Sequence, residues 1–123
     1  MADVVIVFVA VFFLGMGVYG LAAPAALIKP FRIVLDSAEA RTEIRAVYGG
    51  FGVAIAGLLA LALTDAGGIR RGALVAVAAA LLGMAFGRLV ARAVERPTAF
   101  YPSWFYFWVE LLGGGLLLVT AGW

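Results

Sequence analysis

Apolar positions fall in four long runs separated by short polar stretches. The first runs from about Val4 to Ala23, the second from about Ile44 to Leu63, the third from about Gly72 to Val94 and the fourth from about Trp104 to Gly122. About 20 apolar residues suffice to cross the hydrocarbon core of a bilayer as a helix. Each run is bounded by charge or turn chemistry: Pro24 and Pro30 after the first, Thr64-Asp65-Ala66-Gly67-Gly68 after the second, Arg96-Pro97 after the third. None alternates with period two, and each is longer than a barrel strand. The pattern predicts an all-α chain folded as an antiparallel four-helix transmembrane bundle, a single integral membrane domain over residues 1–123. Asp3 stands where a leader peptide carries Lys or Arg, so the first run reads as a retained helix.

The one long connection lies between Pro24 and Thr42. In it Phe31, Val34, Leu35 and Ala38 recur at helical spacing opposite Arg32, Asp36, Glu39 and Arg41. That spacing predicts a short amphipathic helix in the membrane interface between the first and second spans. Tyr48-Gly49-Gly50-Phe51-Gly52 thins the second span for close packing; Gly50 with Ala54 continues that stripe of small residues, and Ala79 with Gly83 and Gly87 forms another on the third span.

Composition supports a membrane location. The 123 residues are 66% hydrophobic and 13% charged, with a mean hydropathy of +1.13. A chain this short leaves much of its surface outside its own core, which excludes a soluble globular enzyme. There is no His, Cys, Asn or Gln. His/Cys metal sites, haem ligation through those residues, thiol chemistry and Ser-His or Cys-His nucleophiles are therefore excluded, and no cofactor is expected. The net charge of +2 reads as membrane orientation, with no basic surface free for nucleic acid.

The informative charges are those inside the spans, where each costs at least about 2.5–3.5 kcal/mol at the bilayer centre unless paired or hydrated. Glu110 falls about 10 Å along the axis from Ser103. Arg88 lies a similar distance before the end of the third span and Arg92 one turn beyond it, while Glu43, Arg45 and Tyr48 open the second. Alternation of four spans brings the start of the second, the end of the third and the start of the fourth to one side. Arg88 and Glu110 are expected to meet there, with Tyr19 and Tyr106 lining the same space and Gly113 and Gly114 making room for the guanidinium. That side also carries Lys29, Arg32, Arg41 and Arg96, against Arg70 and Arg71 opposite. The count assigns it to the cytoplasm and both termini to the outside.

Glu43 and Glu110 oppose Arg45, Arg88 and Arg92, leaving a surplus guanidinium that favours an anionic guest. The candidate ligand-binding set is Glu43, Arg45, Tyr48, Arg88, Arg92, Glu110, Tyr106 and Tyr19. The aromatic cluster Phe100 to Trp108 supplies an interfacial belt, with rings to spare for a pocket wall. An Arg-Glu pair that only locks helix packing explains the same residues.

The string Glu43-Ile44-Arg45-Ala46-Val47-Tyr48-Gly49-Gly50, with Gly87-Arg88 and Glu110, resembles a family of small bacterial four-helix inner-membrane proteins described as a domain of unknown function. That family looks distantly like the DoxX-type membrane proteins. The resemblance spans nearly the whole chain. It implies the fold, an inner-membrane location and the importance of Glu43, Arg45, Tyr48, Arg88 and Glu110, and it supplies no activity.

Two functions compete on the sequence. One is binding of a lipophilic anion or membrane lipid, with its head at the arginines. The other is an accessory subunit of a larger membrane complex, or a homo-oligomer, docking through small-residue faces. A small transporter ranks below both, since four-helix exporters carry their essential glutamate in the first helix, where this chain has no acid beyond Asp3. A membrane isomerase would rest on Glu110 beside Tyr106.

Overall fold

The computed structural model describes residues 2–95 and 100–122. The Arg96-Pro97 boundary, and Arg96 in the charge count, lie outside them. Among the described residues there are helices and turns and no strand. The α-helices are α1 (Ala2–Ala22), α2 (Pro24–Ile28), α3 (Ala38–Ile44), α4 (Phe51–Thr64), α5 (Arg70–Val94) and α6 (Phe105–Thr120). A wide helical turn, Arg45–Gly50, fuses α3 to α4, and another, Phe100–Trp104, leads into α6. Among the described residues four helices are thus long and apolar enough to cross a membrane: Ala2–Ala22, Ala38–Thr64, Arg70–Val94 and Phe100–Thr120. Only 22% to 33% of each apolar window is buried within the chain. The remainder, including Phe8, Phe86 and Val119, faces outward, as in a multi-pass membrane protein and unlike a soluble one.

The expected amphipathic helix over Phe31 to Arg41 is not formed. The helical structure of this connection comes earlier, in α2 and the single turn Lys29–Phe31, while residues 33–36 are not helical. Three local causes account for the difference. Ala23 leaves the helical region (φ −142°, ψ 67°) and Pro24 restarts a helix at its first position, where a missing N–H costs nothing. Arg32 adopts a left-handed conformation (φ 62°) that ends the next turn. Ser37 then caps α3 by accepting a 3.0 Å hydrogen bond from the Ala40 backbone N–H. The second long helix therefore begins at Ala38, not at Ile44.

Helix packing uses Gly49 and Gly52 of the small-residue run read in the sequence, together with Gly17 and Gly20 of α1, and not the rest of the stripes. A Cβ on Gly17 would fall 2.6 Å from the Val53 backbone nitrogen, one on Gly52 would fall 2.8 Å from Gly17 Cα, and one on Gly20 would fall 2.9 Å from Gly49 N. The first two long helices thus touch backbone to backbone. Gly50 and Ala54 lie on the exposed side instead. The Phe51 N–H reaches back to the Ala46 carbonyl, so this turn holds one residue more than an α-turn and rotates the face that follows it. On α5 the buried face is Leu74, Val77, Ala78, Leu81 and Ala85. Burying Leu74, Val77 and Leu81 turns Ala79, Gly83 and Gly87 outward, and a Cβ on either glycine meets nothing within 4 Å among the described residues. The core joins Ile6 and Phe13 of α1, Leu59 of α4, Leu74, Val77 and Leu81 of α5 and Leu117 of α6.

Candidate functional site

Arg88 sits on α5 and Glu110 on α6, on the faces these helices turn toward each other. Arg88 Nε donates to Glu110 Oε1 at 2.8 Å, and Nη2 donates to Oε2 at 3.1 Å. The fork matches the carboxylate edge to edge, the strongest geometry open to such a pair. Glu110 is 5% exposed, and Arg88 is partly buried. The guanidinium carbon lies 5.8 Å from the Tyr106 ring centre and 6.0 Å from that of Phe31, within cation–π range. Those two rings are themselves stacked, with centroids 5.6 Å apart. Every buried side-chain nitrogen and oxygen among the described residues has a hydrogen-bond partner.

Gly113 and Gly114 do not make room for Arg88. A Cβ on Gly114 would fall 2.8 Å from Leu82 Cγ, and one on Gly113 would lie 3.5 Å from Leu81 Cδ1. Gly114 admits Leu82 of α5, and that close approach brings Arg88 within reach of Glu110.

The ion pair opens on a cavity of about 470 Å³ among the four long helices. Phe12, Phe13 and Met16 of α1 wall it on one side, and Leu81 and Met84 of α5 on another. Tyr48, Val47 and Phe51 close it from the second long helix. Val47, Phe51 and Met84 are exposed at the rim, whereas Glu110 and Leu81 are buried at the base. A neighbouring cavity of about 330 Å³ shares the Phe12 and Met16 wall and is lined also by Tyr19, Tyr101 and Tyr106.

Of the eight sequence candidates, the structure brings Arg88, Glu110 and Tyr48 around one cavity and Tyr19 and Tyr106 around the other. Tyr106 joins the two by its contact with Arg88. Glu43, Arg45 and Arg92 are exposed and outside the lining of either. Arg45 Nε instead donates to the Leu21 carbonyl at 3.0 Å, at the end of α1. Arg70 does the same for α4, donating to the Ala62 and Leu63 carbonyls at 2.9 and 2.8 Å and pairing with Asp3 at 3.0 Å. Arg71 Nε donates to Ala121 O at 3.1 Å, beyond the end of α6. Each guanidinium donates to carbonyls at a helix C-terminus, the negative end of its dipole, and at Ala62 that of Arg70 shares the carbonyl with the Asp65 N–H. The charge counted as a surplus in the pocket therefore serves helix ends in the case of Arg45.

Sequence reasoning placed Phe31 on an amphipathic helix and missed it as a wall of the Arg88 site. Phe31 closes the single turn Lys29–Phe31 and stacks on Tyr106. The apolar walls Phe12, Met16 and Met84 carried no signal apart from the rest of their spans.

A family model described as "Domain of unknown function (DUF4345)" matches residues 1–121. No curated protein and no solved structure matches the chain.

Proposed function

We propose that the chain, which belongs to the family DUF4345, is an inner-membrane bundle of four antiparallel helices that binds a lipophilic molecule with a small anionic head. Residue pairings support the antiparallel reading: Gly20 meets Gly49 while Gly17 meets Gly52 and Val53. Likewise Arg71 reaches Ala121 while Arg88 reaches Glu110. The resemblance to bacterial inner-membrane proteins supports the location.

One observation carries the functional reading: an oriented ion pair, its carboxylate buried and its guanidinium partly so, forms the base of an apolar cavity whose rim is exposed. Its volume of about 470 Å³ falls within the roughly 300–1,000 Å³ of small-molecule sites. Rim residues Val47, Phe51 and Met84 would face lipid, so a guest enters sideways from the bilayer with its tail against Phe12, Phe13 and Met16. Glu110 occupies the Nε/Nη2 edge of Arg88 and fixes the guanidinium plane. The other terminal nitrogen then offers its N–H groups to a carboxylate or phosphate oxygen, a charge-assisted hydrogen bond in a low-dielectric site. One guanidinium edge suits one small head group, which points to a fatty-acid-like, single-chain guest.

A subunit role is the second reading, favoured by the smooth outward face of Ala79, Gly83 and Gly87 and by the mutual satisfaction of Arg88 and Glu110. Native mass spectrometry of protein released from mild detergent separates the two. Ligand binding predicts a discrete adduct on the wild type that is missing from folded Arg88→Ala and Glu110→Ala variants. A bare wild type that recovers its stability only with a co-purified protein would overturn it.

A further inference from the structure

The second cavity has a chemistry of its own. Besides Phe12 and Met16 it is bounded by Val11, Gly15 and Tyr19, which follow one another at i, i+4 and i+8 on a single face of α1. The strip is about 12 Å long at 1.5 Å per residue. Gly15 has no side chain and a Cβ there would meet nothing within 4 Å, so the strip is an open furrow at its middle. At the Tyr19 end, Leu27 of α2 and Pro30 roof it over, and Tyr101 and Tyr106 close its flank with ring centres 6.1 Å apart. Among the described residues no charged side chain lines it, and the side-chain hydrogen-bonding groups there are the phenols of Tyr19, Tyr101 and Tyr106. An uncompensated charge would be costly there, whereas phenols donate to and accept from neutral oxygen.

We infer that this tyrosine-ended furrow on α1 is a second lipid site, specific for a single-chain amphiphile with an uncharged hydroxyl or carbonyl head. The head lies among the phenols under α2, and the tail runs past Gly15 to Val11. The site lies across the Phe12 and Met16 wall from the Arg88 cavity, and Tyr106, which lines this furrow and touches Arg88, links the two.

Photo-crosslinking of the whole protein in mild detergent tests it, using hexadecanol carrying a diazirine on its chain and the equivalent palmitic acid. The alcohol is expected to label the Val11 to Tyr19 face. A Cβ at Gly15 meets nothing within 4 Å, so Gly15→Phe is expected to fill the furrow and to lower that labelling about tenfold, a loss of roughly 1.4 kcal/mol, with the melting temperature unchanged. Tyr19→Phe and Tyr106→Phe keep the rings, and each is expected to lower it roughly fivefold through one lost hydrogen bond. These two variants decide the matter if Gly15→Phe does not fold. Alcohol labelling should persist in the doubly substituted Arg88→Met/Glu110→Leu protein, which keeps this test separate from that of the ion-pair cavity. Equal labelling of the furrow by acid and alcohol, or labelling undiminished by the furrow and phenol variants, would overturn the inference.

Discussion

Arg88 and Glu110, 22 residues apart in the chain, meet through two hydrogen bonds of 2.8 and 3.1 Å at the base of an apolar cavity. Their contact depends on a feature several residues away. Gly114 lets Leu82 come close enough to α6 that the guanidinium reaches the carboxylate without further adjustment. The pair is thus a consequence of helix packing and a candidate for recognition at once, and single substitutions confuse the two roles.

Removing one partner should be more damaging than removing both. Glu110→Ala leaves Arg88 partly buried and unpaired, at a cost of roughly 3 kcal/mol, whereas Arg88→Met/Glu110→Leu substitutes apolar groups of similar size and should recover most of that loss. Denaturation of the two single variants and the double variant in one detergent measures the coupling. Additive losses would show that the two side chains do not act as a pair.

Glycine substitutions should divide by position. Gly17→Ala and Gly52→Ala place a methyl group within 3 Å of backbone on the facing helix and should each lower the melting temperature clearly. Gly83→Ala and Gly87→Ala meet nothing and should be neutral, or stabilising by up to about 1 kcal/mol through helix propensity. Equal sensitivity at all four would place an unrecognised contact on the outer face of α5.

Arg70 ties the end of α4 to the start of α5 and to Asp3. Arg70→Ala should destabilise the protein by roughly 1–2 kcal/mol, since its bonds are charge-assisted but about a third of the side chain is exposed. Arg70→Lys should rescue little, because one ammonium cannot reproduce the planar fork. Melting curves of both variants check this.

Ser37→Ala should speed hydrogen exchange at the Ala40 amide and cost about 1 kcal/mol. The effect should stay within the first turn of α3, because the cavity residues are anchored by the long helices.

The sequence carried the helices well and their faces poorly. Four apolar runs were enough to locate the long helices, because length and lack of charge set a span without tertiary information. Alternation of the spans likewise brought Arg88 and Glu110 to one level. Ser37 carried a capping signal that the periodicity of Phe31, Val34 and Leu35 masked, and so the start of α3 was misplaced. Which glycines touch another helix depended on the extra residue in the Arg45–Gly50 turn, a backbone choice with no separate mark in the residue pattern. The arginines were visible as charges, but whether each meets a carboxylate or a helix-end carbonyl is a matter of a few ångströms that spacing alone does not determine. Arg88 and Arg45 took opposite outcomes.

Binding of radiolabelled palmitate to the purified protein, compared between wild type and the stable Arg88→Met/Glu110→Leu variant, tests the central claim most directly. A lipophilic-anion site predicts saturable binding to the wild type and at least about tenfold weaker binding to the folded double variant, the equivalent of roughly 1.4 kcal/mol. Equal binding by both proteins would contradict it and leave the ion pair as a packing device.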